Sequence, residues 1–90
     1  MAAEKLQSFD KTDEVAEKRH TLILFNDDVN SFDHVVDALV DYCEHDEIQA
    51  EQCAWIAHYK GKCEVKKGDL DELLSIKDAI LNRGINVEIK

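Results

Sequence analysis

The 90-residue chain carries 20 acidic against 11 basic side chains, a formal charge of −9, with 44% hydrophobic residues and no proline. That length supports one small domain around one core of about 70 residues. The negative charge argues against non-specific binding to nucleic acid or anionic membrane, whose phosphates would repel it, and favours a basic partner surface.

No apolar run approaches the roughly 18 residues of a membrane span, and charges occupy the start of the chain where a signal peptide would be apolar. A cytoplasmic protein is therefore expected. The three cysteines, Cys43, Cys53 and Cys63, lack the paired spacings of a zinc site and are odd in number, so reduced thiols are expected, with no disulfide framework and no metal.

Residues 1–19 mix acidic and basic side chains with no sustained period, which predicts a flexible tail, with at most a transient helix around residues 12–18. Residues 20–90 are expected to form the folded domain. His20-Thr21-Leu22-Ile23-Leu24-Phe25 is an apolar, β-rich run without polar alternates, the pattern of a strand covered on both faces or central in a small sheet. It stops at Asn26-Asp27-Asp28, whose short polar side chains compete for nearby backbone groups and so mark a loop rich in acceptors.

Ser31 then caps a helix whose Phe32, Val35, Val36, Leu39, Val40 and Cys43 share one apolar stripe, with Asp33, Asp37, Asp41 and Glu44 on the solvated side. Asp46-Glu47-Ile48-Gln49 has the form of a capping box and opens a second helix. Ile48, Cys53, Ile56 and Ala57 offer its inner face, Ala50 and Ala54 permit close approach, and Gly61 ends it. Trp55 lies off that stripe and is expected to be half exposed.

Lys62-Cys63-Glu64-Val65-Lys66 alternates with the period of a strand wet on one face, and Lys67-Gly68 is expected to turn it. Lys60, Lys62, Lys66 and Lys67 concentrate positive charge, either as a solvated face or as a docking patch. Asp69-Leu70-Asp71-Glu72 starts a third helix with Leu70, Leu73, Leu74, Ile80 and Leu81, stopped at Asn82-Arg83-Gly84. Ile85-Asn86-Val87-Glu88-Ile89 alternates as a last strand. The class is α+β, β-α-α-β-α-β, with a small three-stranded, mainly antiparallel sheet packed on helices.

His58, late in the second helix, is the residue to set beside the polar loop. An amide oxygen, carboxylates and a neutral imidazole are all acceptors, and acceptors around one point suit an ammonium. Cys53 and His58 fall on different faces of one helix, so nucleophilic catalysis is not expected, and the loop has no EF-hand spacing.

Asn26-Asp27-Asp28, a following helix with Val35-Val36, and then His58-Tyr59-x-Gly61-Lys62 thirty residues beyond Asp28 together resemble the ClpS family. These are adaptors that deliver N-degron substrates to the Clp ATPase-protease. The resemblance runs from His20 to Lys90. It implies a non-enzymatic, monomeric adaptor without cofactor. Such an adaptor binds the free α-amino group and bulky first side chain of a substrate and hands it to the hexameric Clp unfoldase.

By position, the resemblance assigns the α-ammonium to Asn26, Asp27 and His58, with Asp28 supporting the loop. It puts Asn30, Phe32, Ala54, Ala57 and Ile85 around a hydrophobic pocket. Better-known members have Thr-Pro-Met at Asn30-Ser31-Phe32, and Met and Val at Ala54 and Ala57, so Phe32 takes the gatekeeping position and the alanines widen the pocket. The resemblance implies docking to the N-terminal domain of the ATPase through the second strand and third helix, by position Lys62, Glu72 and Lys77, while the tail engages the ATPase. The competing reading is an interaction module of the same fold that docks a Clp-type ATPase without any pocket for an N-terminal residue.

Overall fold

The computed structural model describes residues 19–90; the tail expected over residues 1–19 lies outside the described residues except for Arg19, which opens the first strand. The elements run β1 (Arg19–Phe25), α1 (Phe32–Cys43), α2 (Glu47–Lys60), β2 (Lys62–Asp69), α3 (Leu70–Asn82) and β3 (Val87–Ile89). This is the expected α+β order. Its one sheet has three strands in the order β2-β1-β3, antiparallel at both pairings.

The central place of β1 accounts for its composition. Leu22, Ile23 and Leu24 are all buried, Leu22 and Leu24 in the core shared with the helices and Ile23 alternating to the opposite face. On the helix side the core continues through Val36, Leu39, Leu73, Ile80, Ile85 and Val87.

Ser31 caps α1 as expected, its hydroxyl accepting from the His34 N–H at 3.1 Å. Val40, expected on the buried stripe, is exposed, and Ala38 is buried instead. The reason is that α1 packs against α3 as well as α2. Its buried arc therefore turns toward Ala38 and Tyr42, where the Arg83 guanidinium lies 4.8 Å from the Tyr42 ring centre.

Asp46 caps α2 by accepting from the Gln49 N–H at 2.7 Å, and Gly61, at φ 95°, ends it by donating its N–H to the Ala57 carbonyl at 2.9 Å. The buried face is Ala50, Ala54 and Ala57, with Cys53 packed beside it, as expected, but Ile48 and Ile56, expected on the same face, are 68% and 42% exposed. Three alanines at i, i+4 and i+7 let the helix backbone approach its neighbours closely, and that rotation turns both isoleucines outward.

β2 does not turn at Lys67-Gly68. It pairs with β1 as far as Asp69, with Gly68 opposite His20. A Cβ on Gly68 would meet the carboxylate tip of Glu72 at 2.5 Å, which places the first turn of α3 directly over this end of the strand. The bend comes earlier, from a bulge: Leu22 opposes Lys66 and Ile23 opposes Glu64, leaving Val65 as the extra residue. The Val65 carbonyl accepts instead from Nε2 of the buried His45 at 2.7 Å.

Asp69 stands at the N-cap of α3 without a side-chain capping bond, and Gly84, at φ 82°, follows the helix end. β3 starts two residues after Ile85, yet the Asn86 carbonyl already accepts from the Phe25 N–H at 3.0 Å.

Candidate functional site

The polar loop and the end of α2 meet because of strand register. Phe25 pairs with Lys62, so the residue after β1 lies beside the residue before β2, and the Asn26 N–H donates to the Gly61 carbonyl at 3.0 Å. Gly61 closes α2, so the last turn of that helix, with His58, faces the loop. No spacing within the sequence states this contact; the antiparallel pairing makes it.

Between them lies a cavity of about 350 Å³ lined by both elements and by α1. Asn26, Asp27, Asp28 and His58 stand on it, with Asn30, Phe32, Ala54 and Ala57 among its walls. Its volume falls toward the lower end of the roughly 300–1,000 Å³ typical of ligand pockets, and apolar walls with a few convergent polar groups have the usual composition of such a site.

Asp27 does more than face the cavity. Its Oδ1 accepts from the Val29 and Asn30 N–H groups at 3.0 and 2.8 Å, and its Oδ2 accepts from Asn30 Nδ2 at 2.9 Å. The bracing expected of Asp28 is thus made by Asp27, while Asp28 is exposed. Burial raises the Asp27 carboxyl pKa, but the hydrogen bonds from Asn30 and Val29, with His34 nearby, outweigh it and hold the group below its ordinary value of 3.8. Asp27 is a carboxylate at neutral pH, and each oxygen keeps acceptor capacity beyond these bonds.

Asn30 Nδ2 also donates to the Gly84 carbonyl at 2.8 Å, and His34 Nε2 donates to the Arg83 carbonyl at 2.9 Å. The turn after α3 is therefore strapped to the site loop. Arg83 is itself held by Asp41 at 2.8 Å, a bond that raises its pKa.

Phe32 does not close the cavity. It stands at the wall with its ring centre 4.9 Å from that of Trp55. Ile85, expected at the pocket, does not line it; it is 1% exposed in the core beneath, where the chain passes between α3 and β3. Sequence reasoning missed Leu24, Phe25, Val35 and Trp55 as lining residues. Trp55 carried a usable signal, since it stands three residues before His58 and so shares its helix face.

The three residues expected at an ATPase interface come from two elements, β2 and α3. Lys62 opens β2, Glu72 lies in the first turn of α3 with its carboxylate 3.9 Å from Lys66 Nζ, and Lys77 is half-buried further along α3. The lysine concentration is also divided, because Lys66 turns inward to Glu44 at 3.3 Å and Glu72 at 3.9 Å.

Burial raises the Cys43 thiol to about 11 and, with Cys63 beside it, the Cys53 thiol to about 12, so both are protonated and poorly nucleophilic at neutral pH. Among the described residues no group of three or more His, Cys, Asp or Glu side chains is placed to hold a metal ion, and no helix is long and apolar enough to cross a membrane.

Comparison with known proteins bears on this geometry. No curated protein matches the sequence. Among solved structures, that of Agrobacterium tumefaciens ClpS2 bound to L-phenylalaninamide matches with a TM-score of 0.70 at 19% sequence identity, covering 81% of this chain and 95% of that one. At that identity the likeness shows the fold. The family model for the ATP-dependent Clp protease adaptor protein ClpS matches residues 15–86, a stretch that contains the polar loop, α2 and every other residue lining the cavity. The chain belongs to the ClpS family of Clp protease adaptors.

Proposed function

We infer that the protein binds the free α-amino group and bulky hydrophobic first side chain of N-degron substrates and delivers them to the N-terminal domain of a Clp-family AAA+ unfoldase. The observation that carries this reading is that Asn26, Asp27 and His58 line the same cavity as Phe32, Val35, Ala54 and Ala57. The lining combines acceptors and a negative charge with apolar wall. A free α-ammonium supplies a positive charge and three donors, whereas an acetylated amine supplies neither the charge nor enough donors. Acceptors left unpaired cost about 1–3 kcal/mol each, which is the source of discrimination.

The first side chain contributes separately, through apolar burial of roughly 2–3 kcal/mol for a leucine or an aromatic residue. The ClpS2 relative was solved with L-phenylalaninamide, a free amine bearing an aromatic side chain, which is the chemistry this cavity fits. Delivery would use the surfaces at Lys62, Glu72 and Lys77, with the tail. We place the protein in the cytoplasm as a monomer without cofactor.

Trp55 is the single tryptophan and lines the cavity, so its emission reports occupancy without a label. Titration with L-phenylalaninamide should shift that emission, and N-acetyl-phenylalaninamide should not. Equal responses to the two amides would defeat the proposal and favour a docking module without a pocket for an N-terminal residue.

A further inference from the structure

The cavity does not end the row of rings. Trp55 and Tyr59 stand at i and i+4 on α2 with their rings stacked, centres 5.3 Å apart and planes 13° from parallel. Trp55 is 47% and Tyr59 74% exposed. His58 sits edge-on to both, 5.9 Å from the Trp55 ring and 5.0 Å from that of Tyr59. With the Phe32 ring centre 4.9 Å from that of Trp55, the rings of Phe32, Trp55 and Tyr59 form an aromatic ledge that reaches from the cavity wall to solvent at the end of α2.

Resting on the amine-binding reading above, we propose that this ledge is a second subsite, which takes an aromatic side chain at the third residue of the bound chain. An extended peptide advances about 3.3–3.6 Å per residue, and alternate side chains share one side. With the first side chain in the cavity, the third points the same way roughly 7 Å further on. The step from Trp55 to Tyr59 along the helix is about 6 Å. The second side chain points away from the ledge.

Two observations favour a peptide side chain as the occupant. Trp55 belongs to both surfaces, lining the cavity and stacking on Tyr59, and His58, which also lines the cavity, sits edge-on to both rings, so a chain leaving the cavity past His58 meets the ledge next. The exposed rings are flat and already ordered by mutual stacking, so an incoming ring gains contact area with little ordering cost. Tyr59 does not line the cavity, which separates its contribution from that of the first residue.

The test uses the full chain and four unlabelled tetrapeptide amides read by Trp55 emission: Phe-Gly-Gly-Gly, Phe-Gly-Phe-Gly, Phe-Phe-Gly-Gly and N-acetyl-Phe-Gly-Phe-Gly. The expected result is at least threefold tighter binding of Phe-Gly-Phe-Gly than of Phe-Gly-Gly-Gly, falling to near equality in Tyr59→Ala and retained in Tyr59→Phe. Because the readout is a ratio within each variant, a general loss of affinity cancels. Equal affinity of the first two peptides, a gain at the second position instead of the third, or a ratio that survives in Tyr59→Ala overturns the subsite. If Phe-Gly-Gly-Gly binds under any of those outcomes, the first-residue pocket stands without it. Equal binding of the free and acetylated peptides would remove the amine-binding reading and the subsite together.

Discussion

The side-chain amide of Asn30 joins the Asp27 carboxylate to the chain after α3, with one Nδ2 donating to Asp27 Oδ2 at 2.9 Å and to the Gly84 carbonyl at 2.8 Å. A pocket residue by position, Asn30 is by contact the tie that sets the loop against the rest of the domain. It holds the carboxylate to which ammonium binding is here proposed, with its side chain on Oδ2 and its backbone N–H on Oδ1.

Replacing Asn30 with alanine removes both bonds. At about 0.5–1.5 kcal/mol net for each, the domain should lose roughly 1–3 kcal/mol in a urea denaturation, and binding of a free phenylalanine amide should weaken because Asp27 Oδ2 loses its donor while Oδ1 keeps its two backbone bonds. Unchanged stability together with unchanged binding would show that the Asn30 amide is idle in solution.

Acid should act on the same group. The folded Asp27 carboxyl lies below its ordinary value of 3.8, so its contribution to stability is present above that pH and is lost as pH falls through the folded value. Asp27→Asn keeps the turn-making oxygen but not the charge. The stability difference between the native protein and Asp27→Asn should therefore be constant from pH 7 to about 5 and shrink below about 4. A difference that stayed flat to pH 3 would contradict the depressed carboxyl.

Ala54 sets the width of the cavity. Ala54→Leu adds three carbons to a lining position, and the space already present accommodates them at little cost to the fold. Affinity for an N-terminal phenylalanine peptide should fall about tenfold, near 1.4 kcal/mol, and an N-terminal leucine peptide should lose less. Competition titrations of the two peptides measure the ratio; equal losses would place the first side chain elsewhere.

His45 is a structural histidine rather than a site residue. It is 6% exposed, and its Nε2 satisfies the carbonyl of the bulged Val65. His45→Phe leaves that carbonyl buried without a donor, and a loss of about 1–3 kcal/mol is expected by thermal or urea unfolding. Ligand affinity at saturating folding conditions should be unchanged, since His45 does not line the cavity.

Most of the fold was legible because local rules and tertiary demands agree along this chain. Ser31, Asp46, Gly61 and Gly84 mark helix ends through side-chain acceptors or left-handed backbone, which are local properties. The apolar run of β1 announced a central strand for the same reason. The misreadings cluster where tertiary contacts choose between faces. The alanine stripe of α2 displaced Ile48 and Ile56, and the second packing partner of α1 displaced Val40.

The residue types needed for an ammonium, a polar loop with a carboxylate and a helical histidine, were present in the sequence by themselves, and with them the family. What the tertiary structure decided was their meeting. Pairing of Phe25 with Lys62 brings Gly61 to Asn26 and so turns the end of α2 toward the loop, a consequence of strand register over a long sequence separation. Packing likewise put Ile85 in the core and Trp55 on the cavity wall, whereas the bracing of the loop by Asp27 rather than Asp28 is local, made with Val29 and Asn30. Periodicity reports which side chains share a face; only the packed chain determines which faces share a cavity.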